Sequence, residues 1–229
     1  ASLEDLFAVL TVGGTTFIVP EEVTKDLSLL HHFILENRIT GGSYIPQIGQ
    51  MLLQEYPDLP VEYMVVGGDK MTIVPQSNCR LINVYGPTEF TIDATYYEFE
   101  QERHYDNIPI GRPLHNQMAF IVDSNKHLLP KGLAGELCLA GKQMARGYWK
   151  QEELSREKFT DCPFVEGERM YRTGDLCRWN EQGQLEYIGR IDTQVKLRGF
   201  RVELGELESR SLKYDGIKQT VANVHDGQL

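Results

Sequence analysis

The stretch NVYGPTEFTID at residues 83–93 sets Tyr85, Thr88 and Glu89 around Gly86 and Pro87, where an apolar segment ends. Gly and Pro together break regular structure, so a strand here runs into a forced turn carrying an aromatic ring, a hydroxyl and a carboxylate. Such a turn can offer a polar site or be an ordinary loop. A second group follows in TGDL and EYIGRID, with Asp175, Tyr187, Arg190 and Asp192. On residue type alone, Tyr187 in an alternating strand reads as core, and Arg190 with Asp192 reads as a surface pair of little consequence.

The elements that must position these residues change character along the chain. Leu3, Leu6, Phe7 and Leu10 follow helical spacing up to Gly13 and Gly14. TTFIVP reads as a short strand. Asp26 caps a helix with Leu30, Phe33 and Ile34 on one face. A weak strand over residues 39–43 leads to the helix PQIGQMLLQEY, with Ile48, Met51 and Leu52 on one side, then to the strands EYMVVGGD and RLINVYG. This alternation predicts an α/β fold, a parallel sheet with helices flanking its faces. Ligands of such sheets bind beyond the carboxyl ends of the strands. Ser43, Gly67 and Tyr85 each fall at a predicted strand end, pointing to one crevice.

From Thr91 the pattern becomes β-rich: TIDATYYEFE, MAFIVD, GELCLAG, LCRWN and QLEYIG, separated by turn signals such as DSNK and NEQG. This region predicts a distorted barrel. QVKLRG is a further strand and LGELESRSLK a helix. The expected division is an α/β sheet subdomain over 1–100, a β-rich subdomain over 101–191, and a hinge at Asp192 opening a small C-terminal part, 192–229.

The 229 residues carry a formal net charge of −10. Phosphate neutralisation needs clustered Lys and Arg, so no nucleic-acid partner is expected. No apolar run is long enough to cross a bilayer, and no membrane partner is expected. Cys79, Cys138, Cys162 and Cys177 form no C-x-x-C, and His31 and His32 are adjacent. These read as free thiols of a cytoplasmic protein rather than a zinc site.

NVYGPTE, joined by GELCLAGKQMARGYW, YRTGDL, GRIDTQVKLRGFRVELGELE and the opening ASLEDLFAVL, resembles in order and spacing the adenylation domains of nonribosomal peptide synthetases. These are adenylate-forming enzymes, in a superfamily with acyl-CoA synthetases and luciferases. The resemblance implies that ATP and an amino acid give an aminoacyl-AMP and pyrophosphate. The aminoacyl group then passes to the phosphopantetheine thiol of a peptidyl carrier domain, with neighbouring synthetase domains as partners. By the same resemblance, Tyr85 lies against the adenine face, Asn83 near its amino edge, and Gly68 in the nucleotide site. Thr88 serves the α-phosphate region and Glu89 holds Mg²⁺. Asp175 accepts the ribose hydroxyls, Tyr187 flanks the base, and Arg190 reaches ribose or phosphate. Asp192 is the hinge. The glycines of GELCLAGKQMARG are taken as structural.

The resemblance places the substrate pocket at Ala1, Glu4, Ser43, Val65, Gly67, Val84, Ile92 and Asp93. A buried carboxylate needs a cationic partner or a proton. Two acids among small and apolar residues therefore point to arginine, then lysine or ornithine, with tyrosine as a second way to fill the slot. The stretch between Gly67 and Val84 is shorter than the family's usual one. Motifs expected before Ala1 and beyond Leu229 are not in the sequence, so the chain reads as the middle of such a domain, inactive by itself. The alternatives are an acyl-CoA ligase and a non-catalytic docking module.

Overall fold

The computed structural model describes residues 2–100, 103–192, 194–197 and 200–224. Ala1 and the side chain of Glu4 lie outside the described residues. Helix α1 (Ser2–Thr11) is followed by α2 (Glu21–Thr24) and α3 (Leu27–Glu36). TTFIVP, expected as a strand, pairs with no strand among the described residues. It lies along α1, where the Thr16 hydroxyl donates to the Asp5 carbonyl at 3.1 Å, and Ile18 is 85% exposed. Asp26 caps α3 as its residue type predicts, accepting from the Leu29 amide at 3.0 Å.

Strand β1 (Gly41–Tyr44), helix α4 (Pro46–Glu55), β2 (Tyr63–Gly67) and β3 (Arg80–Tyr85) form the parallel part of the fold. The expected alternation holds between β1 and β2. Between β2 and β3 the connection carries no helix. Leu30, Ile34, Leu52 and Leu53 of α3 and α4 pack with Met64, Val66 and Leu81 in one core. The inward side of α4 includes Gly49 and Leu53, whereas Met51 is exposed. A Cβ on Gly49 would lie 2.8 Å from Val66 Cγ1, so close helix–sheet contact explains a residue that a helix interior otherwise disfavours.

A short 3-10 turn (Thr88–Phe90) leads to β4 (Thr95–Glu98), β5 (Pro109–Pro113), β6 (Gln117–Val122) and β7 (Gly135–Gly141). Helix α5 (Glu152–Lys158) precedes β8 (Phe159–Asp161), β9 (Arg169–Trp179) and β10 (Leu185–Arg190). The main sheet runs β1-β2-β3-β4-β5-β10-β9-β7-β6, with β8 also paired to β9. It is continuous across residue 100 and, among the described residues, open. The expected barrel is therefore not closed: β6 pairs with β7 and forms one edge, while β1 forms the other. Only residues 95–98 of TIDATYYEFE are strand, because the residues before them bend. Beyond β10, β11 (Gln194–Leu197) and β12 (Phe200–Glu203) form a two-stranded sheet, and α6 (Leu204–Ser211) follows. A second core gathers Phe90, Ala94, Ile110, Leu137, Tyr171 and Leu185. All four cysteines are buried and free. No helix among the described residues is long and apolar enough to cross a membrane.

Candidate functional site

Strand β3 ends at Tyr85, and the chain turns at once. A Cβ on Gly86 would fall 1.8 Å from the Ile92 carbonyl oxygen, so only glycine fits where the turn folds back on itself. Phe90 is fully buried in the second core and anchors the turn. Glu89, 8% exposed, accepts at Oε1 from the Tyr148 hydroxyl at 2.6 Å. Its main-chain carbonyl accepts from the Ala145 amide at 2.8 Å. Gln143 Nε2 donates to the carbonyls of Phe90 at 3.0 Å and Asp93 at 2.5 Å. The segment after β7, taken from sequence as structural, thus grips the turn that carries Glu89 and Asp93. Gln143 bonds main-chain carbonyls and Tyr148 a distant carboxylate, contacts that no local pattern marks, so sequence reasoning selected neither.

Asp175 sits where β9 is deformed. Glu136 pairs with Leu176 and Cys138 with Arg172, so β9 places three residues opposite Leu137 alone. This bulge turns Thr173, Gly174 and Asp175 out of register. Glu136 Oε1 takes the Gly174 amide at 3.2 Å, and the Thr173 hydroxyl donates to the Leu137 carbonyl at 2.8 Å. Asp175 is 6% exposed. Its Oδ2 accepts from the Tyr85 hydroxyl and its Oδ1 from Arg190 Nη1 at 2.9 Å. Burial, with the Asp175 charge adding to it, pushes the Tyr85 phenol well above the usual tyrosine range. Tyr187 is pushed up to about 12 by the same two causes.

Arg190 also grips Asp192 with two nitrogens, Nε at 2.8 Å and Nη2. Burial works against the guanidinium charge, but the hydrogen bonds and charges of Asp192 and Asp175 outweigh it and raise Arg190 above its ordinary value. For Asp192, burial opposes ionisation, and the Arg190 hydrogen bonds and charge overcome it, holding the carboxyl below its usual range. Arg190 and Asp192, readable from sequence as a surface pair, therefore form an ion-pair chain that begins at a buried carboxylate.

A cavity of about 790 Å³ opens over this chain, lined by Gly68, Asn83, Val84, Tyr85, Tyr187, Arg190 and Asp192. These residues come from the ends of β2, β3 and β10 and the segment beyond. Residues 194, 195, 204 and 221–224 close its other side. Asp175 lies behind Tyr85 and Arg190. Thr88 and Glu89 stand at the adjoining turn and do not line the cavity. The Asn83 Nδ2 donates to the Pro109 carbonyl at 2.8 Å, which leaves its Oδ1 and the second hydrogen of Nδ2 to offer a ligand. Asp69 and Lys70, also in the lining, were missed. Their place just past a strand end in GGDK was the signal available.

The expected substrate residues divide. Ser43 and Val65 line a separate cavity of about 380 Å³ with Asp5, Ala8 and Val9 of α1. The Ser43 hydroxyl donates to Asp5 Oδ1 at 2.8 Å, an acid that sequence reasoning did not select. Ser43, Val65, Gly67 and Val84 share one face of the sheet by register. A Cβ on Gly67 would meet Val84 Cγ2 at 2.6 Å. Ile92 and Asp93 belong to the gripped turn.

The cavity suits a nucleotide in size and in chemistry, with aromatic rings, an amide acceptor and a buried acid. The carboxylate of Glu89 suits Mg²⁺, which is bound through one or two carboxylates together with waters and phosphates. Such an ion would neutralise phosphate charge.

Residues 1–149 match the family model described as AMP-binding enzyme. The chain is 42% identical over 233 residues to bacitracin synthase 1 of Bacillus licheniformis, covering 96% of this chain and 4% of that protein. It is 39% identical over 234 residues to tyrocidine synthase 1 of Brevibacillus parabrevis, covering 100% of this chain and 21% of that protein. The chain therefore spans a small part of the curated relatives it matches. Among solved structures it is similar to the Vibrio cholerae adenylation domain AlmE in complex with glycyl-adenosine-5'-phosphate. The TM-score there is 0.77 at 30% identity, covering 90% of this chain and 41% of that one. It is similar also to an NRPS protein containing adenylation and PCP domains bound to a vinylsulfonamide inhibitor. That match has a TM-score of 0.77 at 30% identity and covers 85% and 36% of the two chains.

Proposed function

The chain belongs to the AMP-binding enzyme family, and from this we propose that it forms the central part of an amino-acid-activating adenylation domain of a peptide synthetase. In the proposed reaction a carboxylate oxygen of the amino acid attacks the α-phosphorus of ATP. The bond to the bridging oxygen breaks, and pyrophosphate leaves. The aminoacyl group then passes from AMP to the phosphopantetheine thiol of a peptidyl carrier domain, within a cytoplasmic, multidomain synthetase.

The observation that carries this reading is the convergence of Gly68, Asn83, Tyr85, Tyr187, Arg190 and Asp192 on one cavity above Asp175. In this reading Tyr85 and Tyr187 sandwich adenine, and Asn83 Oδ1 accepts from its amino group. Asp175 exchanges its present partners for the ribose hydroxyls, and Arg190 follows ribose or phosphate. Thr88 donates to the α-phosphate, and Glu89 holds the metal. Fixed donors and a cation at the developing charge answer the main difficulty, which is bringing one anion up to another. Asp192 is the pivot for the residues beyond it, dividing the large part of the domain from the small one.

The amino acid we propose is arginine, then lysine or ornithine, with Glu4 and Asp93 meeting its cation. Tyrosine joins the panel because its hydroxyl would meet Ser43 or Asp93 in the same slot, and the pocket set also resembles that of the first adenylation domain of cyanobacterial anabaenopeptin synthetases. The test is amino-acid-dependent exchange of pyrophosphate into ATP by the complete domain. Exchange led by arginine is expected. Exchange only with acids lacking an α-amino group would favour the acyl-CoA ligase. ATP binding without any exchange would favour the docking module.

A further inference from the structure

Thr91 lies at φ 73°, ψ −84°, close to the rare, strained γ-turn at about +75°, −65°. For a β-branched residue a positive φ is a true outlier. Such strain persists only where the surroundings over-determine it. Gln143 makes the determining contacts. Its one amide nitrogen donates to the carbonyl before the bend, Phe90 at 3.0 Å, and to the carbonyl after it, Asp93 at 2.5 Å. Its own main-chain oxygen accepts from the Thr91 hydroxyl at 2.5 Å. Two donors on one nitrogen are what a primary amide supplies, and a carboxylate or thioether does not. Gln117 Nε2 reaches the same Asp93 carbonyl at a longer 3.4 Å.

We infer that Gln143 is a positioning residue for amino-acid selection: its amide holds the bend at Thr91 shut and so fixes where Ile92 and Asp93 stand. This deepens the reading given above and rests on it. The Ala145 amide–Glu89 carbonyl bond and the Thr91 hydroxyl–Gln143 carbonyl bond use main-chain atoms of the gripping segment. Both survive replacement of the Gln143 side chain, so the segment stays docked while the Phe90 carbonyl loses the Gln143 donor and the Asp93 carbonyl keeps the longer contact from Gln117. The nucleotide cavity, lined from the ends of β2, β3 and β10, keeps its contacts. Selection loosens and ATP use does not.

The test is Gln143→Met in the complete domain, read as kcat/KM for the two amino acids the unaltered domain uses best, beside the KM for ATP. The expected result is a ratio between the two that falls by about fivefold or more, with the ATP KM within about twofold. An unchanged ratio overturns the inference, as does an ATP KM that rises in step with the amino-acid KM. If the single variant melts below the assay temperature, both domains are assayed below the variant's melting midpoint and judged by the same readout. An unaltered domain inactive with every amino acid overturns the function proposed above and this inference with it. An active domain whose variant keeps its preference overturns this inference alone.

Discussion

Asp175 holds Tyr85 and Arg190 at once from a buried position, and Arg190 carries the contact on to Asp192. Removing one member of a buried ion pair leaves the other charge uncompensated, so Arg190→Ala is expected to cost about 3–5 kcal/mol of unfolding free energy, read by urea denaturation. Asp192 has a different signature because its side chain is 40% exposed. Its carboxyl is held below its usual range, so its contribution is present above the unfolded value of about 3.9 and is lost as pH falls through the lower folded value. The melting temperature of Asp192→Asn should therefore lie below that of the parent at pH 6, and the gap should close below about pH 4. A gap that widens in acid would contradict the pairing. Tyr85 was legible from sequence because Gly86 and Pro87 mark the turn beside it. Its contact with Asp175, 90 residues away, was not.

At the scale of elements, the bulge of β9 against β7 decides where Asp175 points. Gly174 is the residue it depends on, with φ +72° and a would-be Cβ 2.8 Å from Arg190 Nη2 and 2.9 Å from Asp192 Oδ2. Gly174→Ala is expected to destabilise by about 1–3 kcal/mol through backbone strain and to displace Arg190. Both effects can be measured together, stability by denaturation and nucleotide affinity by calorimetry. An unchanged affinity would mean that Arg190 has room to move without loss. The helices α1, α3 and α4 were legible from spacing, because a 3.6-residue period records which side faces a core. That record fails at Met51 and on α1, where Leu6, Phe7 and Leu10 are exposed. Spacing reports that an apolar face exists, not what covers it.

Across the whole molecule, the cavity is walled on one side by strand ends of the main sheet and on the other by residues after Asp192. A ligand that binds only the folded form stabilises it, and ATP with Mg²⁺ at about a hundredfold over Kd should add roughly 2.7 kcal/mol to the unfolding free energy of the complete domain. No shift with ATP would count against the cavity as the nucleotide site. The sequence by itself determined the helices α1, α3 and α4, the strands β1 to β3 and the turn at residues 86–90. These depend on local rules: hydrophobic period, turn chemistry and the spacing of motifs. Tertiary structure alone decided that the β-rich half stays open, since closure depends on whether distant strands find one another. It alone separated Ser43 and Val65 from the larger cavity, joined Tyr85 to Asp175, and set Gln143 on the turn. Those outcomes are contacts between residues far apart in the chain, and no local pattern encodes a partner.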